Sequence, residues 1–164
     1  MERIIMMVIR NILRVPFMWI RLCYHAAHVD NYTDKEHNQL FKYIVERANI
    51  GGNVTIKSYG QENIPEQDGF LFTPNHQGMY DVLAMIDSCP KPFSVVYKIE
   101  LKDIPFLKQI AKCMKAFFID RDDVRQSMKV IVEVAKEVEK GRNYTFYAKA
   151  INANGCVSTE KSTL

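Results

Sequence analysis

Apolar residues recur along this chain in two rhythms, and the switching between them sets the expected fold. Over residues 35–49, Leu40, Phe41, Ile44, Val45 and Ala48 fall on one face of a helix. Asp34 is its expected cap and Gly51-Gly52 its expected stop. Short, mostly apolar runs bounded by turn residues read instead as strands, at 54–56, 69–72, 93–97, 116–119 and 144–147. Helical stretches are expected between them: 77–88, ending at Cys89-Pro90; 104–114, opened by Pro105; and a third beginning at Asp122-Asp123. In the third, Val124, Met128, Ile131, Ala135 and Val138 step by four and three, and Gly141 closes it. Parallel strands need long crossovers, which helices supply. The order therefore points to the α/β class, with helices packed on a largely parallel sheet.

Residues 1–29 follow another pattern. At 100° per residue, Arg3, Arg10, Arg14 and Arg21 fall within a sector of about 40°, and His25 and His28 extend that edge. Most of the remaining circumference is apolar. No uncharged run before Arg21 exceeds six residues, far short of the roughly 20 that a membrane-spanning helix needs. Arginines inside the apolar stretch also argue against a secretory signal. A narrow cationic edge on a broad apolar face describes a helix lying in a bilayer surface, with arginines at anionic headgroups and Phe17 and Trp19 in the acyl boundary. A core helix with solvated arginines is the alternative. Pro16 is expected to split the segment into two helices.

Composition narrows the picture only slightly. Apolar types make up 48% and charged types 25%, which excludes disorder, and 22 basic against 19 acidic residues give a net charge of +3. Residues 1–29 carry that whole excess, so nothing points to nucleic acid. Cys23, Cys89, Cys113 and Cys156 form no C-x-x-C pair, which implies reduced thiols and no metal site. The chain thus divides into amphipathic membrane-associating helices over 1–29, an α/β domain over 30–148 and an irregular tail over 149–164.

One constellation carries chemistry. Asn75-His-Gln-Gly-Met-Tyr-Asp81 sets a histidine five residues before an aspartate, at the end of an apolar strand. His25 and Asp30 share that spacing, so spacing alone does not select the pair. Five residues of continuous helix would turn the two side chains well apart, so His76 must sit in the entry turn and Asp81 inside the helix. A carboxylate on one imidazole nitrogen sets the tautomer, leaving the other to take a proton from a hydroxyl. Gly78 leaves room for a substrate. A purely structural His–Asp hydrogen bond is the competing reading.

The same block, with Phe118-Ile-Asp-Arg121 about 40 residues later, resembles the lysophosphatidate acyltransferases, the 1-acylglycerol-3-phosphate O-acyltransferase family. Lys98, Glu100-Leu101 and Pro105 fit as well, and the likeness runs from the terminal helices to about Tyr144. It implies that His76 is the general base, that Asp81 orients it, and that Arg121 binds the acceptor phosphate. Asn75, Gly78 and Lys98 would complete the substrate site. The implied enzyme moves a fatty acyl group from acyl-CoA or acyl-carrier protein to the sn-2 hydroxyl of lysophosphatidate, yielding phosphatidic acid. It would need neither cofactor nor metal and would sit on the cytoplasmic face of the cell membrane, peripheral or monotopic. In one respect the chain departs from the family. The E-G-T-R block expected after the strand at 144–147 is absent, and Tyr147-Ala-Lys-Ala150 stands there. With no later strands either, the sheet is expected to be incomplete, and a frame shift near Tyr144 is the expected origin. Arg142 and Lys149 are candidate replacements for the missing cation.

Overall fold

The computed structural model describes residues 2–75, Gly78 and residues 80–146, with side chains from Ile5 onward. The calls on 149–164, and on Cys156 and Lys149, lie outside the described residues. Four strands, β1 (Leu71–Phe72), β2 (Ser94–Lys98), β3 (Phe117–Ile119) and β4 (Tyr144–Phe146), form one open sheet in the order β1-β4-β2-β3. All three pairings are parallel. Six α-helices surround it: α1 (Glu2–Arg10), α2 (Val15–Ala27), α3 (Asp34–Gly52), α4 (Asp81–Ser88), α5 (Pro105–Cys113) and α6 (Val124–Glu139). The α/β reading therefore holds, and it holds for the expected reason: each parallel pair is joined through a helix.

Strand order decides which face each helix covers. The chain steps in one direction across the sheet from β1 to β2 to β3, then reverses to reach β4. With right-handed crossovers, reversal puts the last helix on the opposite face. Val95 and Tyr97 accordingly pack with Leu22, Leu40, Phe41, Val45, Ile86 and Ala111 from α2 to α5. Val96, Ile119 and Tyr144 pack with Val130 and Val134 of α6. Both faces of β2 are buried, which is why its centre, Val95-Val-Tyr97, is continuously apolar rather than alternating.

Several local expectations change. Thr33, not Asp34, caps α3: its hydroxyl accepts from the Glu36 amide while the Glu36 carboxylate accepts from the Thr33 amide. Asp34 is thereby released to pair with Arg142, both oxygens at 2.9 Å. Residues 54–56 form no strand, because the Val54 amide closes α3 onto the Asn49 carbonyl. On α6 the buried positions are Val130 and Val134, while Val124, Met128 and Ile131 are exposed. Two apolar stripes were available there. Gln126 chooses between them by donating to the Phe118 carbonyl and accepting from the Asp120 amide, which fixes the helix rotation. Gly69 has φ +96°, and a Cβ there would lie 2.7 Å from the Val138 carbonyl, so only glycine lets β1 pass the end of α6.

The N-terminal helices are built into the molecule. A turn at 11–14 separates α1 from α2, with Pro16 in the first turn of α2, where its missing amide costs nothing. Asn11 donates to the Met7 and Arg47 carbonyls, fastening α1 to α3. Leu22 and Ala26 belong to the same core as α3 and α5. His25 does not lie on the exposed arginine edge; it is buried, stacked on Tyr32 at 3.9 Å, with Nδ1 3.3 Å from Nδ1 of His37. His37 Nε2 is 3.3 Å from the Val29 carbonyl and must be its donor, so neutral His37 accepts at Nδ1 and His25 donates there.

This pair makes stability pH-dependent. Burial first, then the proximity of His37 and Arg21, hold the His25 imidazole below its ordinary value near 6.5, against a smaller opposing effect of Glu36. The unfolded chain therefore binds the proton more readily than the folded one. The stabilisation is complete above about pH 6.5 and is lost as pH falls from there toward the lower folded value. Urea midpoints measured between pH 5 and 8 should decline on the acid side, and His25→Gln should flatten that decline.

Candidate active site

In a parallel sheet all strands present their carboxyl ends to one edge, so the loops after β1, β2 and β3 gather there. The block 75–81 follows β1. Asn75 is exposed just beyond it. His76, the expected base, lies outside the described residues, as do Gln77 and Met79. Gly78 and Asp81 are tied by two hydrogen bonds: the Gly78 amide donates to Asp81 Oδ2 at 3.0 Å, and the Asp81 amide donates to the Gly78 carbonyl at 3.2 Å. The result is a closed turn with Asp81 as the first residue of α4, which starts four residues later than the expected 77–88 helix and so has Asp81 at its entry rather than inside it. A Cβ on Gly78 would meet no described atom within 4 Å.

Tyr80 anchors the turn from behind. Its phenol donates a short hydrogen bond to Asn49 Oδ1, and Asn49 Nδ2 reaches Asp87 Oδ1 at 3.5 Å. Burial, with a smaller contribution from Asp87, raises the Tyr80 phenol above its ordinary value, so it stays protonated and keeps donating. Sequence reading missed Asn49, because a buried asparagine on a helix gives no periodic signal.

The cations come from the next strands. Lys98 ends β2, exposed, opposite Ile119 of β3 in the register. Arg121 follows β3 by two residues and is exposed. Neither makes an ion pair with a described residue. Of the neighbouring acids, Asp123 caps α6 by accepting from the Gln126 amide at 3.0 Å, and Asp120 accepts from the Asp122 amide at 3.0 Å. Ser127 donates to the Asp120 carbonyl, so Gln126 and Ser127 together hold the loop that carries Arg121. Sequence reading missed both; a glutamine three residues after a capping aspartate was the available signal. β1 and β3 are three strand spacings apart, roughly 14 Å, so the two halves of the site flank the ends of β4 and β2.

Arg142 does not belong to this edge. It precedes β4, at the amino end of the sheet, with its guanidinium on Asp34 and within 3.6 Å of Glu137. Arg142 therefore cannot stand in for a cation beyond the carboxyl end of β4. A cavity of about 300 Å³ opens at that same amino edge, lined by Asp34, His37, Arg142 and Asn143, on the far side of the sheet from the turn at 78–81. Asn143 closes the amino-edge loops, accepting from the Gly69 and Phe70 amides and donating to Asp68 and the Pro92 carbonyl. Cys113 and Cys89 are poor nucleophiles: burial pushes Cys113 up to about 11 and raises Cys89 as well.

These features define a protein class: a parallel α/β layer with the candidate residues Asp81, Lys98 and Arg121 at the carboxyl edge of its strands. Within that class the chain belongs to the acyltransferase family, whose model matches residues 55–154, all four strands included. It is also similar to the 1-acyl-sn-glycerol-3-phosphate acyltransferase of Borreliella burgdorferi, 27% identical over 96 residues, which are 58% of this chain and 38% of that protein. The chain thus matches about two fifths of its curated relative's length. No solved structure matches it.

Proposed function

We propose that this chain carries the acyl-transfer site of a glycerolipid acyltransferase acting on lysophosphatidate. The carrying observation is the pair of cations without described counterions, Lys98 and Arg121, at the same sheet edge as the Gly78–Asp81 turn. A phosphate monoester needs such a clamp, and the planar guanidinium fork suits two of its oxygens. The acyl donor is a thioester, acyl-CoA or acyl-carrier protein. His76 takes the proton of the sn-2 hydroxyl as that oxygen attacks the thioester carbonyl. The tetrahedral intermediate collapses with loss of the thiolate, which the imidazolium protonates, giving phosphatidic acid and free thiol. Asp81, held by the Gly78 amide, keeps the imidazole oriented. The terminal helices place this edge on an anionic membrane surface at the cytoplasmic face of the cell membrane. Among the described residues no helix is long and apolar enough to cross a bilayer.

The test is thiol release from acyl-CoA in the presence of lysophosphatidate, on the purified chain in detergent. Turnover that requires the acceptor and falls in Arg121→Ala, chiefly through the acceptor KM, is the expected result. A second reading has its own observation. In the sequence, Tyr147-Ala-Lys-Ala150 stands directly after β4 in place of E-G-T-R. A membrane-binding relative without activity would give no acceptor-dependent thiol at all. Acceptor-dependent release with some other lysolipid, and none with lysophosphatidate, would move the substrate assignment.

A further inference from the structure

The terminal helices do not meet the sheet alone; α2 lies against α5. Trp19 stacks on Phe106 with ring centroids 6.3 Å apart and an interplanar angle of 23°. Helix α5 starts just past the carboxyl end of β2, so its first turn sits at the edge where the candidate active-site loops gather. Large apolar side chains stand in the open on both sides of the seam: Phe17 is 63% and Ile20 66% exposed on α2, and Ile104 42% and Phe106 43% at the start of α5. Beside them Lys102, Lys108, Lys112 and Lys115 line a groove of about 390 Å³ with Asp103 as its single acid. On α5 itself, Lys108 and Lys112 are one turn apart and exposed. On α2, Arg14 and Arg21 are exposed as well.

We propose that the start of α5 is a second membrane-contacting element, so that the α2–α5 seam docks as one surface on an anionic phospholipid bilayer. Ile104, Phe106, Phe17 and Ile20 enter the acyl boundary, while Lys102, Lys108 and Lys112 meet headgroup phosphates. This rests on the reading that the terminal helices bind such a surface. It adds that the catalytic unit touches lipid through its own residues. Apolar side chains rimmed by cations are the signature of an interfacial element. The same rim disfavours a second copy of this chain as occupant, since lysines would face lysines. Two contacts, one on each side of the seam, also fix orientation: the carboxyl edge of the sheet faces the bilayer, and a lysolipid need not leave the membrane to reach Asp81 and Arg121.

Trp19, the chain's one tryptophan, reports from the seam itself. The full chain is mixed with phosphatidylglycerol–phosphatidylcholine vesicles and with pure phosphatidylcholine vesicles, each with and without brominated acyl chains. Binding to the anionic vesicles with bromine quenching of Trp19 is expected. Ile104→Ser/Phe106→Ser should weaken binding at least about tenfold. Lys102→Gln/Lys108→Gln/Lys112→Gln, which alters only exposed side chains, should weaken it similarly and reduce its salt dependence. Circular dichroism confirms the fold of each variant. If the wild-type chain binds neither vesicle, the terminal-helix reading and this proposal both fall. If it binds, and Phe17→Ser/Ile20→Ser weakens binding while both α5 variants bind as wild type, the terminal-helix reading stands and α5 is not a contact. Self-association through the seam, without vesicle binding, would make a second copy the occupant.

Discussion

His76→Ala is expected to lower acyl transfer at least about 100-fold, the usual scale for a positioned general base. The loss should fall on kcat, with the acceptor KM little changed, because the base acts on the hydroxyl while Lys98 and Arg121 hold the phosphate. The rate should be read in single turnover, from this chain or, where its turnover is too low, from the chain with E-G-T-R at 147–150. His25→Gln is the matched control, since His25 and Asp30 share the five-residue spacing. In the fold His25 lies instead against His37 and Tyr32, away from the sheet edge. It should therefore cost stability and leave the chemical step nearly unchanged. A chemical step lost in His25→Gln and kept in His76→Ala would place the base in the wrong block.

Leu22→Ala should destabilise the whole chain by about 2–5 kcal/mol, the range for a leucine removed from a packed core. Leu22 is 0% exposed and sits among Leu40, Phe41 and Ala111, so its loss leaves a cavity between α2, α3 and α5. Leu13→Ala, in the same terminal segment but 92% exposed, should change stability by less than about 0.5 kcal/mol. Urea denaturation followed by circular dichroism reads both. Equal, small effects would mean that α2 is an appendage laid on the domain rather than part of its core. The contrast also separates the roles of the segment: Leu22 faces protein, whereas Ile9, Ile12, Leu13, Phe17 and Ile20 remain free to face lipid.

Periodicity and punctuation alone determined the α/β class, the helix–strand alternation and the bounds of α5, β3 and α6 to within a residue or two. Such local signals are strong wherever a helix has a cap and a strand is apolar on both faces. The block 75–81 and Arg121 stood out as candidates through the family resemblance, because the His–Asp spacing recurs at His25 and Asp30 and does not select them by itself. Tertiary structure decided what no single segment carries. The strand order, with β4 inserted between β1 and β2, depends on the reversal after β3, and it is this order that sets the ends of β1 and β3 on either side of β4 and β2. The rotation of α6 depends on Gln126 meeting the end of β3, since its sequence offers two apolar stripes. His25 looked like part of a cationic edge on the wheel, and only its packing against His37 and Tyr32 buries it. Arg142 looked available as a phosphate clamp, and only the parallel sheet sends it to the opposite edge, onto Asp34. In each case a side chain's role depends on a partner distant in sequence, and local pattern carries no information about that partner.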